Sequence, residues 1–423
     1  MIDFRTAVAA SVDGRTARGM ATRETILDAA QELFVAEGFR AVSLRDIAAR
    51  AGISHPGVLR HFPSADAILD AVVDRFEEFN ERWNAEHDRG LAGFAVLARH
   101  NADTPGYVEL FATLAGEATS AEHPSHTRFQ QRYRRIRDLT EKAFLRAMTD
   151  EGGLPGVADP AAEATRILAA WDGLQVISLY LPDRIDVSGM LERHMERLSG
   201  IAGSSEARLA DAPPLTPLTS ILPRVFGYES GRKRRTRIVA DATALFASGG
   251  FHTTSLREIA EKVGIGKSTL LHHFSTKDEL LTAVLLNRDA AMVDRVAAPA
   301  ATARDELMGI AKSARRNTRE EPGLVELYAV LSCEGAAVSH PAHDYFTWRF
   351  DASIGYFTNV FARAAAEGAI DPDLDPAFEA TWLIALWDGL QYQWLYDRDA
   401  IDIAALLDDH IAHLLVPEVA ALG

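Results

Sequence analysis

The chain contains the same segment twice. "SLRDIAARAGISHPGVLRHF", Ser43 to Phe62, returns 212 residues later as "SLREIAEKVGIGKSTLLHHF", Ser255 to Phe274. The match reaches upstream, pairing Ile26, Leu33, Phe34, Gly38 and Phe39 with Ile238, Leu245, Phe246, Gly250 and Phe251. A repeat of this size is one folding unit used twice, and any fold has to house both copies.

Each copy reads as two short helices around a glycine. Leu256, Ile259, Ala260 and Val263 fall at helical spacing, Ser255 with Glu258 forms a capping-box start, and Gly264 follows as a turn. Lys267 opens the next helix. This is the pattern of a helix-turn-helix. The string Gly-Lys-Ser-Thr inside it imitates a phosphate-binding loop. That motif needs an earlier glycine at position 261, which is Glu, and a strand before the loop, which the helical spacing denies. The first copy carries Ser54, His55, Pro56 and Gly57 in its place. The nucleotide reading fails.

The segments after the heads repeat as well. "PGYVELF" from Pro105 returns as "PGLVELY" from Pro322, "EHPSHTRF" from Glu122 as "SHPAHDYF" from Ser339, and "AWDGLQ" from Ala170 as "LWDGLQ" from Leu386. The helices carrying Trp-Asp-Gly-Leu-Gln are apolar nearly all round, so they must be buried on most of their surface. An amphipathic partner follows each, "DVSGMLERHMERL" and "DIAALLDDHIAHLL". Two such helices per half can assemble a four-helix interface. The expected organisation is an extension over 1–21, a head over 22–70, a body over 71–198, a Gly/Ser/Pro-rich linker over 199–231, a second head over 232–282 and a second body over 283–423. Residues 1–19 read as a disordered extension or an upstream start, since Met20 stands just before the first helix.

Composition adds limits. Cys333 is the only cysteine in 423 residues, so no intrachain disulfide can form and a reducing cytoplasm is the expected setting. No apolar run approaches the roughly 20 residues of a membrane span, so no membrane partner is expected. The formal charge of −16 hides an uneven distribution. Residues 232–277 hold nine basic and three acidic side chains, and residues 15–65 hold seven and five. Basic heads on acidic bodies would draw a polyanion to the heads.

At this point the chain resembles the tetracycline-repressor (TetR) family of bacterial regulators, twice over. "TRETILDAAQELFVAEGFRAVSLRDIAARAGISHPGVLRHFPSADAIL" and "RTRIVADATALFASGGFHTTSLREIAEKVGIGKSTLLHHFSTKDELL" carry the resemblance, which is specific in the heads and looser in the bodies. It implies an all-α fold: two units, each a three-helix DNA-binding head and a helical effector-binding body whose last two helices form the dimer interface. It implies a repressor released from operator DNA by a small molecule; no Ser-His-Asp, paired-carboxylate or Gly-rich constellation stands out, so neither catalysis nor a cofactor is expected. Three positions depart from the family pattern. Leu59 and Leu271 stand where a tyrosine is usual, Ala65 replaces the lysine present as Lys277, and Pro56-Gly57 interrupts the first recognition helix. The first head is therefore expected to bind DNA more weakly, or to read a different half-site.

The candidate DNA contacts follow from the outward positions of each motif. In the first head they are Ser43, Arg45, Ser54, His55, Gly57, Arg60 and His61. In the second they are Ser255, Arg257, Lys267, Ser268, Thr269, His272, His273 and Lys277. Serine and threonine hydroxyls, arginine and lysine suit phosphates and base edges. Leu44, Ile47, Val58, Leu59 and Phe62, with Leu256, Ile259, Leu270, Leu271 and Phe274, are expected in the core. Tyr107, Trp171, Gln175, Trp348, Trp387, Gln391 and Trp394 are the effector-pocket candidates, since such pockets are mostly apolar with a few polar groups. Trp171 and Trp387 equally suit packing. His123 with His126, and His340 with His343, have a metal-ligand spacing but no third ligand fixed by it, so a structural role is expected. With both halves in one chain, a 33-residue linker between them can span roughly 110 Å. A monomeric pseudo-dimer on an imperfect palindrome is the expected state, with higher-order dimers left open. The rivals are an activator without a small ligand and a protein-interaction module whose heads no longer bind DNA.

Overall fold

A computed structural model describes residues 14–37, 39–86, 90–150, 153–200, 232–251, 254–295 and 300–417. Every regular element among them is helical, as the sequence implies. The chain divides into two compact units, Met1–Glu86 and His87–Gly423. Most of the expected linker, 201–231, and residues 1–13 of the expected extension lie outside the described residues.

The first unit consists of α1 (Gly14–Glu37), α2 (Leu44–Ala51), α3 (His55–Leu59) and α4 (Ala65–Glu86). Helix α1 begins inside the stretch expected as extension, and α4 runs unbroken through the expected boundary at 70. Ile26, Ala30, Phe34, Ile47, Val58, Phe62, Ile68 and Val72 form its fully buried core. Arg75 ties α4 to α1, donating to Asp28 at 2.7 Å.

The second unit holds the rest. The first body comprises α5 (Gly93–Asp103), α6 (Tyr107–Glu117), α7 (His126–Asp150), α8 (Pro160–Tyr180) and α9 (Val187–Leu198). Next come α10 (Arg232–Gly249), α11 (Leu256–Val263), α12 (Lys267–His273) and α13 (Lys277–Arg295), the second head and its stem. The second body follows as α14 (Ala303–Glu320), α15 (Pro322–Glu334), α16 (His343–Ala366), α17 (Pro376–Tyr396) and α18 (Ile403–Leu414).

The two Trp-Asp-Gly-Leu-Gln helices, α8 and α17, start alike. Asp159 and Asp375 each accept two backbone N–H groups of the first turn, and a proline occupies that turn, where its missing N–H costs nothing. They then pack on one another. A Cβ added at Gly173 would run into the Ala385 carbonyl, and one at Gly389 into the Ala169 carbonyl. Only glycine admits this approach.

The contacts around that crossing are reciprocal. The Tyr180 hydroxyl donates to the Ser332 carbonyl at 2.5 Å, and the Tyr396 hydroxyl to the Ala115 carbonyl at 2.5 Å. Residues of α6 and α15, not counted among the interface helices from sequence, thus belong to it. Gly116 of α6 faces Cys333 of α15 so closely that a Cβ at 116 would collide with the cysteine's own. Helix α7 joins as well: Arg134 donates to Asp397 at 2.8 Å and Gln130 to the Tyr396 carbonyl at 2.6 Å.

One histidine of each pair serves this interface. His126 donates through Nδ1 to the Ala118 carbonyl at 2.8 Å and stacks on Tyr396. His343 does the same to the Gly335 carbonyl at 3.0 Å and stacks on Tyr180. His123 and His340 accept, through Nδ1, the backbone N–H groups of Ser125 and Ala342. Within each pair the ring nitrogens engage different backbone groups.

Gly389→Ala should therefore force α8 and α17 apart and destabilise the protein by about 1–3 kcal/mol or more, read as a lowered thermal midpoint. Gly355→Ala, where an added Cβ meets nothing within 4 Å, is the control. It should leave the midpoint unchanged or raise it, through helix propensity. Equal midpoints for the two variants would disprove the close packing.

Candidate nucleic-acid interface and effector cavity

The helix-turn-helix of each head is built by its caps. Ser43 and Ser255 accept the N–H of Asp46 and Glu258, whose carboxylates return to the serine N–H at 2.9 and 2.7 Å. Those hydrogen bonds hold both carboxyls below their usual range. Gly52 and Gly264 end the first helix with φ of 67° and 76°, a region that favours glycine. Ser54 caps α3 by accepting from the Gly57 N–H at 3.2 Å. Gly57 is required there, because a Cβ would lie 2.7 Å from Ile53 Cγ2. Gly266 begins α12 without a side-chain cap, and α12 is seven residues long against five for α3.

Ser54, Arg60, Lys267, Ser268 and His272 are exposed, and His55, His61, Thr269 and His273 are half-buried. Arg45 and Arg257 are exposed, but Arg257 is already paired with Glu261 at 2.8 Å. Burial pushes His273 below the usual imidazole range, with His272, Arg234 and Arg235 adding to the effect. Lys277 is turned inward: its ammonium lies 4.2 Å from the Phe251 ring centroid, and burial lowers its pKa.

Two expectations change. Leu59 and Leu271 are not core; they are 43% and 38% exposed. In each recognition helix the preceding residue, Val58 or Leu270, takes the buried position, and Phe62 or Phe274 closes it one turn on. The next residue, about 100° round the helix, points away. The basic surplus of the second head is also partly spent inside it. Arg235 lies 4.0 Å over the Phe274 ring and donates to the His273 carbonyl at 2.6 Å, while Arg237 approaches Asp241. Arg23 lies likewise 4.2 Å over Phe62 in the first head. These two arginines, one repeat apart, hold the end of each recognition helix. The repeat itself was the signal that could have marked them.

The second head is fastened to its body at the turn before α11. Gly250 has φ 79°, and the next N–H, of Phe251, donates to the Glu334 carboxylate at 2.7 Å. The His340 ring meets Phe251 edge-on at 5.0 Å. Helix α15, which ends at Glu334, has its other end in a cavity.

That cavity, about 420 Å³, lies among α13 to α18 of the second half. Of the effector candidates it gathers Trp387 and Gln391. Trp348 is 38% exposed beside Tyr345, and Trp394 is buried under the Arg398 guanidinium at 4.6 Å. In the first half Tyr107 stacks on Phe111, Trp171 is covered edge-on by Phe94, and Gln175 is buried. Among the polar residues that line the cavity, Arg288, Arg316, Tyr328, Arg349 and Asp388 were missed, as were Lys312 and Glu321. A lone arginine in the aromatic run "YFTWRFDASIGYF" was the available signal. Burial pushes Asp388 up to about 7 despite Arg288 and Arg349 nearby.

Two short helices set around a left-handed glycine, twice in one chain, define a helix-turn-helix DNA-binding protein. Comparison with known proteins agrees. Residues 26–72 and 238–284 both match the domain described as bacterial regulatory proteins, tetR family, and residues 303–416 match the C-terminal domain of BetI-type transcriptional repressors. The chain belongs to the TetR family as a tandem member. It is 26% identical over 215 residues to the repressor KstR of Mycobacterium tuberculosis, a match spanning 49% of this chain and 93% of KstR. It is 28% identical over 182 residues to the regulator UidR of Escherichia coli, spanning 40% and 84%. A putative transcriptional regulator from Saccharomonospora viridis, solved in complex with choline, matches at 24% identity and TM-score 0.40, covering 44% of this chain and 98% of that one. Each relative has about the length of one half. Family members are regulators that bind operator DNA and small-molecule effectors. Among the described residues no helix is long and apolar enough to cross a membrane.

Replacing Glu334 by alanine removes a charged acceptor from the Phe251 amide, a bond worth about 1.5–3 kcal/mol. Hydrogen exchange at Phe251 should quicken by roughly tenfold or more while total helicity is kept. Unchanged exchange would show that Glu334 does not hold the head.

Proposed function

We propose that this chain is a ligand-released transcriptional repressor that engages its operator as a single polypeptide, each head reading one half-site. The observation that carries the reading is the pair of capped helix-turn-helix motifs, with exposed Ser54, Arg60, Lys267 and Ser268 on their recognition helices. Lys267 with Thr269 suits a phosphate and a base edge, and Ser43, Ser255 and Arg45 suit phosphates. The exposed Leu59 and Leu271 replace a polar contact by an apolar one, which suits thymine methyl groups in the major groove. The relatives named repressors favour repression over activation.

The single-chain reading is supported by unlike charges across the interface. Arg193 and Arg197 of α9 pair with Asp375 and Glu379 of α17. The residues of α18 at the matching repeat positions are Asp409 and His413. Pairing two second halves would set Asp409 against Asp375, a like-charge contact that disfavours the swap. Helix α15 supplies a route for release. Leu324, Val325 and Tyr328 line the cavity, and ten residues beyond Leu324, about 15 Å of helix, Glu334 grips the turn before α11. A ligand favouring a shifted α15 would re-aim the second recognition helix.

Light scattering of the DNA-free protein should give 46.2 kDa, one chain, with one chain bound per minimal operator. Twice that mass together with two chains per operator would overturn the single-chain reading. Lys267→Ala should weaken operator binding and reduce the slope of log affinity against log salt by about 1. A salt slope unchanged by this substitution would remove Lys267 from the phosphate contacts.

A further inference from the structure

The cavity of the second half has a deep floor more polar than an ordinary helical core. Arg288, Arg349, Tyr328, Asp388 and Gln391 are each at most 9% exposed. The Asp289 carboxylate, fully buried behind them, meets Arg288 at 3.4 Å and Arg349 at 3.6 Å, and accepts from Tyr345 at 2.8 Å. Two guanidiniums thus share one carboxylate. Arg288 also lies 3.8 Å over the Tyr328 ring. Asp388 accepts from Gln391 at 3.1 Å through Oδ1 and has Tyr328 as its other hydrogen-bonding neighbour, while its Oδ2 is buried without a close hydrogen bond. The Nε of Arg316, on α14, is likewise buried without one. Burial moves Asp388 towards the neutral acid, in which Oδ2 can be a donor. Of the other acids lining the cavity, Asp305 and Glu306 lie in the first turn of α14, where Thr302 and Tyr356 bond them, and Glu321 caps its far end, on the stretch that also carries Lys312 and Arg316. The remaining wall includes Ile310, Phe357, Ile384 and Trp387.

The first half differs at the matching positions. Arg132 stands for Arg349, but Phe111 replaces Tyr328 and Phe76 replaces Arg288. Arg132 lies over the Phe111 ring at 5.3 Å, and Phe94 covers Trp171. A cavity of about 460 Å³ between α5 and α9 touches none of Tyr107, Trp171 or Gln175, and its Arg99 donates to Ser188 at 3.1 Å.

We infer that the second half alone takes the effector, one molecule per chain, and that this molecule is an amphipathic organic anion. Its acidic group meets Arg288, Arg349, Arg316 and Asp388, and its apolar skeleton lies against Phe357, Ile384 and Trp387. The volume falls in the lower part of the roughly 300–1,000 Å³ typical of small-molecule sites. This inference rests on the effector reading proposed above.

The test uses two fluorescent probes with one skeleton, the sulfonate 1-anilinonaphthalene-8-sulfonate and its neutral analogue N-phenyl-1-naphthylamine, titrated into the full chain without DNA. The sulfonate should saturate at one per chain and bind at least tenfold tighter than the neutral probe. Gly309 lines the cavity with nothing within 4 Å of an added Cβ, so Gly309→Phe should fill it without distorting the helix and abolish binding of both. Arg316→Leu should weaken the sulfonate about fivefold or more and leave the neutral probe unchanged. Equal affinity of the two probes, or equal loss of both in Arg316→Leu, would overturn the anion assignment. Two sulfonates per chain, binding that survives Gly309→Phe, or no saturable binding would overturn the single site. Operator binding, measured separately on the unmodified chain, distinguishes these failures from failure of the repressor reading.

Discussion

Where α8 meets α17, each helix lays a glycine against the other's backbone carbonyl, and most of the second unit is set by that approach. Close backbones bring Tyr180 and Tyr396 within reach of the opposite half's α15 and α6, and those bonds in turn seat His343 and His126. Helix α15 is therefore bound at its start by the cavity wall and, over its last turn, by the interface at Ser332 and Cys333 and by the second head at Glu334. A change at any of the three places is felt by the same rigid segment. Coupling of this kind needs no long chain of contacts, because one helix touches all three.

The heads were legible in sequence because their signals are local. Capping boxes, a left-handed glycine and helical spacing each act over four or five residues, and the repeat supplied a second reading of each. The failures at Leu59 and Leu271 come from the opposite condition. A helix of five or seven residues has too few turns to fix which apolar side chain is buried, and adjacent leucine and valine look alike until the third dimension separates them.

The cavity was legible only in part, for a related reason. Trp387 and Gln391 were found because they lie in the repeated Trp-Asp-Gly-Leu-Gln motif. Trp348 and Trp394 were singled out by residue type alone, and a tryptophan says little about whether it faces a void, a neighbour or solvent. Arg288 and Arg349 come from helices distant in sequence, and what joins them is Asp289, a charge that looks like any surface acid until its burial is seen. The interface helices at the ends of the halves were expected from their all-round apolarity. The share of α6 and α15 was hidden because backbone carbonyls, which accept the tyrosine hydroxyls, leave no trace in side-chain pattern.

Gly116 opposite Cys333 carries a consequence for how such a chain can change over generations. In an assembly of two identical subunits, a residue near the symmetry axis meets its own copy, so every substitution arrives twice and must tolerate itself. Joined in one gene, the two positions mutate separately. A small residue can then be matched by a larger one, and Gly116 with Cys333 is such a match. Two second halves would crowd two thiols into the space that one now fills, and two first halves would leave it hollow. Each accommodation of this sort ties the halves more closely to one another and makes a return to separate, freely pairing half-length chains harder. Duplication thereby works as a ratchet, turning a symmetric partnership into a fixed marriage of unlike parts.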